Sequence, residues 1–391
     1  MLWVVSGNDP ERLGKELARK IKRLRSPFES EKILVDTSLK SFHLQTLLAK
    51  ELGIFSGITI TPPGNFLWSV LSECFPDAPP NNPLSKISMS FSLMELFSKR
   101  EESGNAIRLP DGIPLPGDIP SQWELAITLA EIFDRILIYR PDWILIWEKD
   151  QHHQDPWSDL WRSLIQKTPL HRVSLLERFS RLVRASPESL KGKSFLKTPV
   201  HVIGHSLLPP SFLDFLKDLS ILTDVVLYQW QATPIFLLPG FSDQLPGDAQ
   251  GAAVNPLTRA LGAQFVRMRD LCLSRSGQTE EFFSIPDRET ILSKIQSEII
   301  NDRSGLDLSD APLDHSLRIV VSRTPMGEVQ ALYHEIVLSF RRDSSLMSSD
   351  VLVMVSDIEL FAPFIDAVFQ KKIGEVGEIP YRIVGKGRRI S

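Results

Sequence analysis

The chain has 391 residues, 42% of them hydrophobic, a net charge of −4 and two cysteines. That length allows two or three domains with a sizeable core and argues against wholesale disorder, and the charge lacks the basic footprint of a free-standing DNA-binding domain. Cys74 and Cys272 are too few for a disulfide framework or a four-cysteine zinc site, no apolar run reaches about 18 residues, and the opening Met1–Gly7 reads as a strand rather than a signal peptide, so a cytoplasmic protein without membrane attachment is expected.

Leu2–Val5 predicts a strand, Ser6–Pro10 a turn, and Glu11–Arg25 a basic helix with Leu13, Leu17, Ile21 and Leu24 on its apolar side. Ile33–Val35 predicts a second strand and Ser38–Leu52 a second helix, the opening of a parallel α/β sheet. Ile58–Ile60 is a strand end, and Asn65 is placed to cap the helix that follows. Phe75–Pro83 loops out, Asn82–Ser90 leads into a helix that ends near Arg100, and Ser103–Pro120 is a Gly/Pro-rich loop. Helices are predicted over Ser121–Tyr139, Asp155–Gln166 and His171–Ala185, the first carrying the apolar stripe Leu129, Ile132, Phe133, Ile136 and Leu137 and stopping or kinking at Pro141. Val200–Gly204 and Asp224–Gln231 predict strands, Pro234–Asn255 a mobile loop, Asn255–Leu273 and Glu289–Asn301 helices, and Gly305–Ser316 an Asp-rich linker. Leu317–Ser322 (strand), Pro325–Arg341 (helix), Asp350–Val355 (strand) and Ile358–Phe369 (helix) begin a second α/β domain. Two strands do not make a stable sheet alone, so the chain is expected to be the N-terminal part of a longer protein.

A nucleotide-binding first loop needs glycines and a Lys-Ser/Thr pair to wrap phosphates, but the loop here, Ser6-Gly-Asn-Asp-Pro-Glu-Arg-Leu13, has one glycine and two acids. Similarly, the strand at Val200 runs into Gly204-His205 where a motor would place Asp-Glu for magnesium, and lone His205 reads as a loop hydrogen-bonding residue. Phe66 and Trp68 read either as core or as bases for stacking single-stranded DNA. His152-His153 with Asp155 is a weak metal pattern, since adjacent side chains of a regular element face apart. No paired-carboxylate nuclease centre stands out.

Phe133-Asp-x-x-Leu-x-Tyr-Arg-Pro-Asp-Trp143, together with Gly53–Trp68, the Leu207-Leu-Pro-Pro turn, Arg323 with the helix from Glu328, and Asp350–Ile358, resembles the RecC (gamma) subunit family of exodeoxyribonuclease V, in order along nearly the whole chain. The resemblance implies an α/β, helicase-like fold of the P-loop type that has lost its ATP site. Residues 1–65 and 195–304 would form its first domain, 66–194 a helical insertion, 305–316 a linker, and 317–391 the start of a second helicase-like domain. It further implies a non-catalytic subunit that holds and scans the unwound 3′-ended strand for a Chi-like sequence and scaffolds RecB-like helicase–nuclease and RecD-like helicase partners. No cofactor is then expected in this chain, ATP and magnesium belonging to the partners. Local matching carries DNA contacts to Asp36, Ser38, Phe42, Pro62, Trp68, Glu131, Ile132, Asp134, Arg140 and Arg172. Asp36 and Phe42 stand where the family pattern has amides, Pro62 where it has an aliphatic residue, and Glu131 replaces a shorter acid, so the sequence read is expected to differ. The alternatives are an active ATP-dependent helicase and a scaffold that touches only protein.

Overall fold

The computed structural model describes residues 1–24, 30–79, 81–103, 109–112, 114–149, 155–166, 168–205, 207–234, 255–303, 314–370 and 379–384. Six strands, β1 (Leu2–Gly7), β2 (Glu31–Leu34), β3 (Ile58–Thr61), β4 (Val200–Val202), β5 (Val225–Trp230) and β6 (Gln278–Phe282), form one sheet in the order β3-β2-β4-β5-β1-β6. Every pairing is parallel, with Val4 opposite both Leu227 and Thr279, and Ile33 opposite both Ile60 and His201.

A parallel sheet is covered on both faces, and the strands alternate accordingly. Val5, Ile33, Val226 and Tyr228 face the apolar sides of α1 (Pro10–Leu24) and α2 (Ser38–Leu52). Val4, Leu34, Val200, Val202 and Leu227 face α3 (Pro63–Cys74), α8 (Arg172–Ala185), α9 (Pro210–Leu219) and α11 (Ala263–Leu273). Among the described residues, the chain between β3 and β4 holds helices α3 to α8, of which α4 (Lys86–Ser103), α5 (Ile119–Tyr139), α6 (Pro141–Lys149) and α7 (Pro156–Ile165) build a second core. Leu129, Phe133 and Leu137 of the predicted stripe are its centre, against Phe97, Ile144 and Trp161. Arg140 leaves the helical conformation at φ −133°, ψ 54°, and Pro141, which has no N–H to lose, opens α6 at once.

The second core contains one buried polar knot. Glu148 Oε1 accepts the Trp161 indole N–H at 3.0 Å and lies 2.8 Å from Nε2 of His171, whose side chain is fully buried. His171 is the residue before α8, so this knot sets where Arg172 begins that helix.

Several expectations need correction. Asn65 does not cap α3, because Pro62 is the N-cap and Pro63, whose ring fixes a helical φ, starts the helix three residues earlier than an Asn65 cap would. The Asn255–Leu273 helix is two, α10 (Pro256–Leu261) and α11, parted at Gly262, where a Cβ would come within 2.3 Å of the Thr258 carbonyl. The Glu289–Asn301 helix is α12 (Ile291–Ile300). β6 and α9 escaped the periodicity: β6 is the polar edge strand Gln-Thr-Glu-Glu-Phe, and α9 sits behind a Pro-Pro pair. Residues 235–254, most of the Gly305–Ser316 linker, and His152-His153 lie outside the described residues.

The chain falls into two compact units, Met1–Asp287 with Lys294–Leu306, and Arg288–Ser293 with Asp307–Ser391. In the second, α13 (Pro325–Arg342) and α14 (Ile358–Phe369) share a core of Val329, Tyr333, Ile336, Val368 and Phe369. Leu317–Ser322 and Asp350–Val355 are not strands here. A strand exists only through its ladder, and neither segment has one among the described residues. Both line a cavity of about 450 Å³ against α13 and α14 through Val320, Val353, Met354 and Val355, and Ile319, Val320, Val321, Leu352, Val353 and Met354 are exposed.

Candidate nucleic-acid interface

The turn between β1 and α1 is only Asn8 and Asp9. The Asp9 carboxylate accepts the N–H groups of Glu11 (2.9 Å) and Arg12 (3.3 Å), the free donors at the start of α1. These are the groups that bind a phosphate at a helix N-terminus, and here the Asp9 side chain takes them. Asn8 is stitched to Ser284, two residues after β6, donating to its carbonyl (2.8 Å) and accepting from its N–H (3.0 Å), while Trp230 donates to the Asn8 carbonyl (3.0 Å). Gly7 is tight against β6, where a Cβ would lie 2.6 Å from the Phe282 carbonyl oxygen.

The structure divides the candidate contacts into two groups. The first lies at the C-terminal ends of the neighbouring strands β2 and β3. Asp36, Ser38 and Phe42 follow β2, and Pro62 follows β3, where the Val35 N–H donates to the Thr61 carbonyl (3.1 Å). Thr37 caps α2 by accepting from the Lys40 N–H, which leaves Ser38 exposed in the first turn and Phe42 63% exposed one turn on. Asp36 is not free: Lys40 Nζ bridges it (2.8 Å) to the Gly204 carbonyl (2.6 Å) after β4. Gly204 has φ +83°, and a Cβ there would press on Lys40 Cδ at 3.3 Å, so glycine suits both backbone and clamp. His205 is buried beside the clamp, 4.0 Å from Asp36, with Nε2 lacking a hydrogen-bond partner. Burial holds its pKa below the ordinary value, against the opposing pull of Asp36.

The second group lies on the helical insertion. Glu131, Ile132 and Asp134 are half-buried on α5, and Lys86 of α4 stands 3.9 Å from both acids. Glu131 also takes Arg135 at 2.9 Å. Burial pushes the Asp134 carboxyl above its ordinary pKa, although Lys86 and Arg172 pull the other way. Burial likewise lowers the Arg172 guanidinium, with Asp134 as its opposing charge, and Arg172 Nε is buried without a hydrogen-bond partner. Each charge is thus desolvated by more than its neighbours restore. At the end of α5, Arg140 grips Asp142 with Nε (3.0 Å) and Nη2 (2.7 Å) and lies over the Trp143 ring, 4.1 Å from its centroid.

Trp68 belongs to neither group. It is 9% exposed in the sheet core, with its indole N–H donated to the Pro79 carbonyl at 3.2 Å, and Phe66 is buried beside it. Stacking on a base is not open to a ring so placed. Lys40 and Lys86, which organise the two groups, carried no motif in the sequence, since a lysine's partner is set by which helices and strand ends meet. Asp155 caps α7, accepting from the Trp157 N–H at 3.3 Å, and among the described residues no three potential ligands gather to hold a metal.

A family model described as the RecC N-terminal domain matches residues 2–302. The RecBCD enzyme subunit RecC of Escherichia coli K12 is 27% identical over 94% of the chain, and that of Haemophilus influenzae Rd is 25% identical over 98%. The corresponding Mycobacterium tuberculosis subunit is 25% identical over 65% of the chain. The chain spans 38% of the E. coli protein and 40% of the H. influenzae protein. With a match that runs from β1 through the helical insertion to the end of α12, the chain belongs to the RecC N-terminal domain family.

Proposed function

We propose that this chain is the N-terminal part of a non-catalytic subunit of a RecBCD-type helicase–nuclease that processes double-strand DNA ends for recombinational repair. It holds and scans the unwound 3′-ended strand for a Chi-like signal, and it scaffolds a RecB-like helicase–nuclease and a RecD-like helicase that carry the ATP and magnesium chemistry. The family match carries this reading, since the RecC proteins it resembles are named as subunits of the RecBCD enzyme. Two features of the molecule support it. The parallel sheet with β1 inside it suits a helicase-like first domain, yet Asp9 takes the amide donors that a nucleotide phosphate would use. Arg172, half-buried at the start of α8 with Asp134 as its opposing charge, carries a guanidinium suited to a phosphate oxygen or a guanine edge.

The test is fluorescence anisotropy of labelled single-stranded DNA with the full-length subunit in its complex, wild type against Arg140→Ala plus Arg172→Ala, with unwinding measured alongside. At roughly 1–3 kcal/mol per good arginine contact, the double variant loses at least about tenfold in affinity for the recognised sequence while unwinding continues. Unchanged affinity refutes the assigned contacts, and saturable binding of an ATP analogue by this subunit refutes the non-catalytic role.

A further inference from the structure

The corner between α5 and α6 exposes more aromatic surface than its packing requires. Tyr139 is 51% and Trp143 40% exposed, on either side of Arg140 and Pro141. Trp143 is held from behind by buried Trp147, with ring centroids 6.2 Å apart, and its face carries the Arg140 guanidinium at 4.1 Å. The grip of Asp142 on Nε and Nη2 keeps that guanidinium in place and leaves Nη1 for another acceptor. The backbone of the corner is also fixed. The Trp143 N–H donates to the Arg140 carbonyl (3.0 Å), and Ser211 Oγ, at the start of α9, donates to the Ile138 carbonyl (2.8 Å). A planar cation layered on an indole, next to an exposed phenol and on a braced turn, is a preorganised stacking surface.

We propose that Tyr139, Arg140 and Trp143 form a platform on which a base of single-stranded DNA stacks. Arg140 thereby acts through its flat face as well as through its charge. The inference rests on the strand-scanning function proposed above and adds Tyr139 and Trp143 to it. Two observations favour a nucleobase. The Arg140–Asp142 pair leaves the corner close to neutral, so its attraction is for a π-face rather than for a phosphate. The corner also closes the helix that presents Glu131, Ile132 and Asp134, and Asp134 to Arg140 spans about 9 Å along the α5 axis at 1.5 Å per residue, so one strand can meet both.

The experiment uses the full-length subunit in its complex and two probes: labelled oligothymidylate for anisotropy, and the same oligomer carrying 5-iododeoxyuridine for photocrosslinking. The variants are Tyr139→Leu, Trp143→Leu and Trp143→Phe; leucine keeps apolar volume without a π-face, and phenylalanine keeps the face. The expected result is a crosslink to Tyr139 or Trp143, about tenfold weaker binding for Trp143→Leu, recovery to within threefold for Trp143→Phe, and melting temperatures close to wild type, since both rings are surface-exposed. If wild type binds the oligomer, crosslinks lie elsewhere and the leucine variants bind normally, the platform is refuted and strand scanning stands. If wild type does not bind single-stranded DNA at all, strand scanning falls and the platform with it. If Trp143→Leu instead dissociates the complex while its DNA affinity is unchanged, the corner is a protein contact and the proposal is overturned.

Discussion

Replacing Glu148 by alanine tests whether the buried knot of the helical insertion holds the second group of candidate contacts in place. Glu148 Oε1 is the shared acceptor for the Trp161 indole N–H at 3.0 Å and the partner of His171 Nε2 at 2.8 Å, in a site where Trp161 and His171 are both fully buried. Removing the carboxylate leaves two buried polar groups unsatisfied, at about 1–3 kcal/mol each. Glu148 itself is 23% exposed at its side chain, so water softens the loss, and about 2–4 kcal/mol is expected in sum. For a unit of this size that lowers the melting temperature by roughly 4–12 °C. Glu148→Gln keeps an acceptor in the same place and gives up only the charge, so it loses roughly 1 kcal/mol. Thermal melts followed by tryptophan fluorescence measure both, because Trp147, Trp157 and Trp161 report on this core. A second consequence is local: His171 precedes Arg172, so Glu148→Ala also weakens any DNA contact made by Arg172, whereas Glu148→Gln does not. An alanine variant that melts with wild type, or a glutamine variant as damaged as alanine, would show that the knot does not carry the energy assigned to it.

Trp68→Phe separates packing from binding. It removes the indole bond to the Pro79 carbonyl and part of a buried ring, and so destabilises by about 1–3 kcal/mol, while single-stranded DNA affinity stays within twofold of wild type by anisotropy. Cys74 and Cys272 are both pushed up by burial from 9.0 to about 12, so neither thiol reacts with a disulfide reagent at pH 8 in the native protein, and both do in denaturant. Because the folded state keeps these protons longer than the unfolded chain, their contribution to stability is complete below about pH 9 and is lost as pH rises toward 12, which alkaline unfolding measures.

Local chemistry made some elements legible. α2 runs from Ser38 to Leu52 as expected because Thr37 caps its start and Gly53, at φ +81°, turns the chain out of it. The α5–α6 break follows from Pro141 alone, and the short β1–α1 turn from the Ser6–Pro10 turn chemistry. What escaped depends on contacts distant in sequence. β6 carries four polar residues in a row before Phe282 because it is an edge strand, which composition cannot distinguish from a loop. Leu317–Ser322 and Asp350–Val355 have strand composition but no ladder among the described residues. Trp68 had the residue type of a stacking side chain, and only the fold shows that α3 turns it inward. The candidate contacts separated into two groups for the same reason: Asp36 and Pro62 are neighbours through the sheet, whereas Asp134 of α5 and Arg172 at the start of α8 come within electrostatic reach of each other through the folding of the helices.

The two-residue turn after β1 also constrains how this lineage can change. A nucleotide site could not be built there by a single substitution. Removing the Asp9 carboxylate would free the first amides of α1, but the loop would still be several residues too short to wrap a phosphate. Lengthening it would tear Asn8 from Ser284 and disturb β6, against which Gly7 is already in close contact. Every intermediate on that path loses stability before it gains any ligand, so the bonds of Asp9 and Asn8 stand as a barrier to building a nucleotide site at this turn.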